Sequence, residues 1–224
     1  MFAALLALLS WMAWIRRQYA FGKGGMMERV RQTILSSLDF DGRGSLLEVG
    51  CGSGALAVRA ALTWPEARIT GLDYWGAMYN YSQALCERNA ASEGVGKQRV
   101  FVRGDASKLD FPDGSFDAVI SNYVYHNIMG ADKHALLRES LRVLRKGGVF
   151  VLRDSMKPQM YGDMNAFAQE LRDMGFTGDI EADGGINGEN AVQLAQAGID
   201  TLVMGTAFFR AEEPEALVRR VHAL

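Results

Sequence analysis

Cysteine and histidine are scarce in this sequence, and each scarcity excludes a class of explanation. Two cysteines in 224 residues, Cys51 and Cys86, make a disulfide framework unworkable and point to a reducing, cytoplasmic setting. Three histidines, with no His, Cys or carboxylate cluster at ligand spacing, leave no metal site to expect. An excess of charge is also missing. The 24 basic and 26 acidic residues are intermixed and sum to a formal net charge of -2, so no electrostatic footprint for nucleic acid is present. The longest apolar run falls short of the roughly 20 residues that span a bilayer. What is left, 49% apolar and 22% charged, describes one ordinary globular domain or a domain with an appendage.

The chain is organised around residues 46–56, LLEVGCGSGAL. Leu46, Leu47 and Val49 read as a buried strand, Gly50, Gly52 and Gly54 permit positive φ and close backbone approach, and Ala55 to Ala61 read as a helix. By itself this glycine run also satisfies the looser pattern of dinucleotide folds or of a purely structural turn. Three later strands raise its meaning. Residues 67–72 end in Asp73, residues 99–102 lead to Gly104 and Asp105, and residues 116–121 follow. Acidic groups delivered to the carboxyl ends of consecutive strands are a ligand-binding constellation that a structural turn does not need.

The segments LLEVGCGSG, ITGLD, VRGDASKLDFPDGSFDAVIS and LRVLRKGGVFVL resemble, in order and spacing, the motifs of class I S-adenosylmethionine-dependent methyltransferases. The resemblance covers about residues 28–175. It implies a Rossmann-like, doubly wound parallel sheet that binds S-adenosylmethionine. Glu48 with the backbone at Gly50, Gly52 and Gly54 would hold the methionine end, Asp73 the ribose hydroxyls, and Asp105 with the Ala106 amide the adenine. A nicotinamide enzyme has no comparable need for the step at residues 104–105. The expected elements are strands at 46–50, 67–72, 99–102, 116–121 and 147–153, with helices at 53–63, 77–91 and 131–145. The last of these would be closed by Lys146, Gly147 and Gly148.

The fourth strand ends in SNYVYHNI, where a methyl acceptor would meet the sulfonium. Asn122, Tyr123, Tyr125 and His126 are candidates to line that site. His126 and Tyr125 are the catalytic candidates, although methyl transfer makes a base optional, and a plain packing role for His126 stands beside the catalytic one. His134 and His222 read as surface residues, and Cys51 as a small side chain under the turn.

Two stretches depart from that pattern. Residues 1–15, MFAALLALLSWMAWI, are apolar on every side and are stopped by Arg16 and Arg17. They read as an interfacial anchor making membrane-surface contact, as a helix packed on the protein or in a homo-oligomer contact, or as the remnant of a longer span. Residues 26–38 follow as an amphipathic helix with Val30, Ile34 and Leu38 on one face.

The other stretch is the tail. Residues 179–224 resemble the last two (β/α) units of a phosphate-binding TIM barrel, nearest to ribulose-phosphate 3-epimerase, through the DGGIN and GTAFF steps. The resemblance makes Asp183 an acid/base and metal-binding aspartate, and Gly184, Gly185, Gly205 and Thr206 donors to a phosphate half-site. Six of the eight barrel strands are missing, with the remaining catalytic groups, so epimerase activity is not expected. The expected organisation is an apolar segment 1–25, a methyltransferase-like core 26–176, and a quarter-barrel-like extension of the same sheet over 177–224, whose exposed edge favours a homo-oligomer. The expected function is methyl transfer from S-adenosylmethionine to a small-molecule acceptor. The alternative is an engineered or recombined chimera that retains cofactor binding, with or without the phosphate half-site, and has lost turnover.

Overall fold

The computed structural model describes residues 2–77, 79–96 and 99–222. The chain forms two compact units, Met1–Ser155 and Met156–Leu224.

The first unit opens with α1 (Phe2–Tyr19) and α2 (Met26–Ser36). It then alternates β1 (Ser45–Val49), α3 (Ala55–Thr63), β2 (Arg68–Asp73), α4 (Gln83–Ser92), β3 (Arg99–Arg103), β4 (Phe116–Asn122), a 3-10 turn at Tyr125–Asn127, α5 (Lys133–Val143) and β5 (Leu144–Arg153). The strands form one parallel sheet in the order β3-β2-β1-β4-β5. The chain moves outward from β1 to β3, then returns to the other side through β4. A switch point therefore lies between β1 and β4, at the carboxyl ends of the strands. Leu46, Leu47 and Val49 in β1 and Ala118, Val119 and Ile120 in β4 have no exposed surface, as central strands covered on both faces require. Small residues Ala57, Ala60 and Ala61 let α3 lie close on the sheet, and α2 contributes Val30, Ile34 and, just past its end, Leu38 to the same core, as its pattern predicts.

A buried ionic cluster ties α2 to α3. Glu28 pairs with Arg31 at 3.0 Å and with Arg59 at 2.5 Å, accepts from Gly22 N at 3.2 Å, and both guanidiniums lie over Phe21. Burial pushes the Glu28 carboxyl up, but the Arg31 hydrogen bond, the Gly22 amide and the Arg59 charge outweigh it and hold the group below the ordinary range.

Two local expectations differ. The helix expected over 77–91 begins only at Gln83, because Ser82 is extended and caps it through Leu85 N; Met78 of that stretch lies outside the described residues. Lys146, Gly147 and Gly148 do not cap α5. They lie within β5, where Phe116 faces Leu144 but Ala118 already faces Val149, and Gly147 adopts φ +72 to take up the extra residues of this bulge.

The second unit contains α6 (Pro158–Tyr161), α7 (Met164–Asp173), β6 (Glu181–Asp183), α8 (Ala191–Gln196), β7 (Thr201–Val203), α9 (Thr206–Phe209) and α10 (Pro214–His222). The two βα units exist, but they do not continue the five-stranded sheet: β6 and β7 form a separate two-stranded parallel sheet. The unit spans residues 156–224, so α6 and α7 belong to it. The physical reason is local. Arg172 of α7 donates to the Phe176 and Gly178 carbonyls at 3.1 and 2.7 Å, to the Gly198 carbonyl at 2.8 Å, and pairs with Asp200. Asp200 in turn accepts from Ile180 N at 2.7 Å. One guanidinium thus binds α7 to the entrances of β6 and β7.

Candidate active site

The carboxyl edge of the first three strands is one hydrogen-bonded rim. Gly50 and Cys51 donate to the Leu72 carbonyl at 2.7 and 3.0 Å, Gly52 N donates to Asp73 Oδ2 at 2.8 Å, and Gly104 N donates to the Asp73 carbonyl at 3.0 Å. Gly50, Gly52 and Gly54 have φ of +77, +56 and +76. At Gly50 glycine is required twice over, since an added Cβ would also come within 2.3 Å of Val124. Around Gly52 the nearest atoms to such a Cβ belong to Tyr81, at 3.4 Å, so the turn offers an approachable backbone surface.

Glu48 is turned beneath this turn. Its Oε2 accepts from Ala57 N at 2.7 Å, and burial, only partly offset by that bond, pushes its carboxyl well above the ordinary range. Asp73 accepts one amide on each oxygen, the second being Trp75 N at 2.7 Å, and keeps lone pairs for two further donors. Trp75, absent from the expected site, closes the same corner by donating its indole N–H to the Gly52 carbonyl at 2.9 Å. Asp105 is exposed; its Oδ1 accepts from Ser107 N and Oγ at 2.8 and 2.7 Å, which holds its carboxyl below the usual value. Ala106 beside it is buried. Cys51 is buried too, and a hydrogen bond with Cys86 together with burial pushes its thiol up, so it is a packing residue and no nucleophile.

On the other side of the switch point, β4 and β5 end in Asn122 and Arg153, which are register partners. Asn122 Oδ1 is a buried acceptor with no hydrogen-bond partner among the described residues. The two catalytic candidates separate here. Tyr125 is fully buried, its hydroxyl lies 2.5 Å from Ser140 Oγ of α5, and burial pushes it up to about 12, which favours a packing role over the expected catalytic one. His126 is partly exposed, and its Nδ1 pairs with Asp154, whose side chain is fully buried. Asp154 also accepts from His126 N at 3.2 Å and Ser155 N at 2.6 Å. A carboxylate partner places the proton on Nδ1 and leaves the lone pair on Nε2. Asp154 was not foreseen, yet it obeys the rule that picked out Asp73 and Asp105: it is the acid at the carboxyl end of the next strand.

Among the described residues no group of three or more His, Cys, Asp or Glu side chains is arranged to hold a metal ion. In the second unit Gly184 and Gly185 have φ of +101 and +71 and follow β6, while Gly205 and Thr206 follow the parallel β7, so both loops sit at the same edge of that small sheet. Asp183 is exposed at the end of β6.

A family model described as a methyltransferase domain matches residues 47–152. Residues 47–152 are a class I S-adenosylmethionine-dependent methyltransferase domain. The ribulose-phosphate 3 epimerase family matches residues 154–209, so the second family begins directly after the methyltransferase domain and some 25 residues before the point the tail motifs suggested. Over the methyltransferase domain the chain is similar to the sterol 24-C-methyltransferase of Aspergillus fumigatus, 32% identical over 127 residues, which is 57% of this chain and 32% of that protein. It is also similar to the fatty-acid O-methyltransferase of Mycolicibacterium smegmatis, 39% identical over 117 residues, 52% of this chain and 39% of that one. The chain thus spans about a third of the length of these two relatives. The crystal structure of a geranyl diphosphate C-methyltransferase from Streptomyces coelicolor aligns with a TM-score of 0.50 and 19% identity over 66% of this chain and 54% of that one, a likeness of fold.

The residues fit the cofactor of this family. An approachable glycine turn, two carboxylates along one rim and an orphaned buried acceptor in Asn122 match a ligand that combines an ammonium, a ribose diol and an adenine amino group.

Proposed function

We propose that the first unit binds S-adenosylmethionine along the rim from Gly50 to Asp105 and directs methyl transfer to a small-molecule acceptor at the ends of β4 and β5. The observation that carries this reading is the bond from Gly52 N to Asp73, which joins the glycine turn to the acid assigned to the ribose. Asp73 and Asp105 are assigned to the ribose and the adenine. The glycine turn and Asn122 are assigned to the methionine end, with Glu48 acting from below by fixing the start of α3. When bound, the cofactor supplies a methyl carbon made electrophilic by its sulfonium.

The protein's own work is orientation, exclusion of water and proton removal. His126 Nε2 takes the proton that the acceptor gives up, and Asp154 stabilises the resulting imidazolium while holding the ring in one tautomer. The curated relatives are named for sterol, fatty-acid and quinone substrates, which supports a lipophilic small acceptor here.

The test is release of S-adenosylhomocysteine from an acceptor panel, run beside calorimetric binding of S-adenosylhomocysteine. Binding together with acceptor-dependent release supports the proposal; absence of binding rejects it. Within an active protein, Asp154→Asn lowers kcat by about 100-fold while leaving cofactor binding intact. A drop in binding of the same size would mean that Asp154 is structural.

One observation favours the second reading, a recombined chimera that binds the cofactor without turnover: the two family matches abut at residues 152 and 154. That reading expects binding with no release for any acceptor. A phosphate half-site at Gly184, Gly185, Gly205 and Thr206 belongs with it. Amide shifts at those four residues on addition of inorganic phosphate test it, and no movement at millimolar anion rejects it.

A further inference from the structure

Most of the described length of α1 is exposed. Its last turn is held, because Gln18 Oε1 accepts from Met26 N at 3.0 Å and a Cβ on Gly25 would lie within 2.4 Å of the Arg17 carbonyl. Residues 4–14, by contrast, are exposed without interruption. Leu5, Leu6, Leu8, Leu9, Trp11, Met12 and Trp14 each expose about half their surface, between 49% and 59%. At 3.6 residues per turn these positions go fully round the helix, and Ser10 is the only polar side chain among residues 4–14.

That circumference decides between partners. A helix lying flat on a membrane needs one polar face, and a helix docked on a second protein chain buries a stripe and leaves the opposite face in water. α1 offers a polar face to neither. A medium that surrounds the helix satisfies all of it, and hydrocarbon is such a medium. The order along the axis agrees: an apolar stretch over residues 4–9, then Trp11 and Trp14, then Arg16 and Arg17 in the last turn, the order in which a helix in lipid meets acyl chains, the interface and phosphate groups.

We propose that residues 4–14 bury in the hydrocarbon of a lipid bilayer, with Trp11 and Trp14 at the interfacial level and Arg16 and Arg17 on anionic headgroups. Eleven residues rise about 16 Å, close to half of a hydrocarbon core of about 30 Å. No helix among the described residues is long and apolar enough to cross a membrane. The site is independent of methyl transfer.

The experiment uses the full chain and vesicles of phosphatidylcholine, alone or with phosphatidylglycerol. The protein is expected to float with the mixed vesicles, and brominated acyl chains are expected to quench its tryptophan emission, a quench lost in Trp11→Phe/Trp14→Phe. Replacing Leu5, Leu8 and Leu9 by serine reduces vesicle binding at least about tenfold with the thermal transition of the first unit unchanged, since these side chains are exposed and lie outside its core. Arg16→Glu/Arg17→Glu removes the preference for the anionic vesicles. Failure of the wild-type chain to float with either vesicle overturns the proposal. So does a defined oligomer that forms without lipid, persists with vesicles and is dispersed by the triple serine variant, which would give the helix to a second copy.

Discussion

The two units use the same βα building step and end up with different amounts of interior. In the first, five parallel strands lie between helices, and β1 and β4 contain side chains with no exposed surface at all. In the second, two strands of three residues each, Glu181–Asp183 and Thr201–Val203, support only a few buried side chains, among them Phe167, Ile186 and Ala191, while Phe209 remains 82% exposed. The lesson is that a βα unit carries its local geometry with it, but a core needs neighbours on both faces. The first unit has them in the sheet order 3-2-1-4-5. The second substitutes polar fastening for apolar burial, with one arginine on three backbone carbonyls and an aspartate.

This contrast can be broken at defined points. The largest effect is expected from Gly50→Ala. It forces an L-residue into φ +77 and drives a Cβ against Val124, at a cost of about 3 kcal/mol to the first unit, read as a lower denaturation midpoint with the second unit's signals unchanged. Next is Arg172→Ala, which leaves three carbonyls and Asp200 without their donor. The guanidinium is partly exposed, so screening limits the loss to about 2 kcal/mol; amides of β6 and β7 should then exchange freely while those of β1 and β4 stay protected. A joint loss of protection in both units would show that they fold as one.

Asp73→Ala tests the rim itself. Losing two charge-assisted acceptors should weaken S-adenosylhomocysteine binding by about 30-fold in calorimetry, equivalent to about 2 kcal/mol, with the second unit indifferent.

The smallest expected effect sharpens the comparison through pH. The folded-state pKa of Glu48 is raised above its unfolded value, so between those two values the native state binds more protons than the unfolded one. Stability of the first unit is therefore full below the ordinary glutamate range and declines as pH rises through it toward the folded pKa. Glu48→Gln keeps an oxygen acceptor for Ala57 N and should remove that slope in urea titrations across pH, leaving the second unit's titration as it was.

The placement of the rim acids was legible because strand ends can be read from residue patterns. Asp73 and Asp105 follow apolar runs, and a parallel sheet brings such positions to one edge whatever the details of packing. The burial of Tyr125 was not legible, because the local string YVYHN holds buried and exposed residues side by side, and only the position of Ser140 on α5 shows which one is inside. Trp75 was missed because its role depends on a positive φ of +45, which no pattern signals for a tryptophan. The continuation of the sheet into the tail also failed as an expectation. Edge pairing is a long-range choice, and the Arg172 fastening that closes the second unit on itself joins residues 172, 178 and 200.

The sequence by itself determined the parallel α/β architecture of the first unit, the glycine turn with its positive φ angles and the acids along its rim, because periodicity, glycine and strand-end position act over a few residues. Tertiary structure alone decided that His126 rests on Asp154, that Tyr125 is inside, and that β6 and β7 pair only with each other. Those outcomes depend on which distant groups are left without a partner once the strands are in register, and that is a property of the assembled sheet.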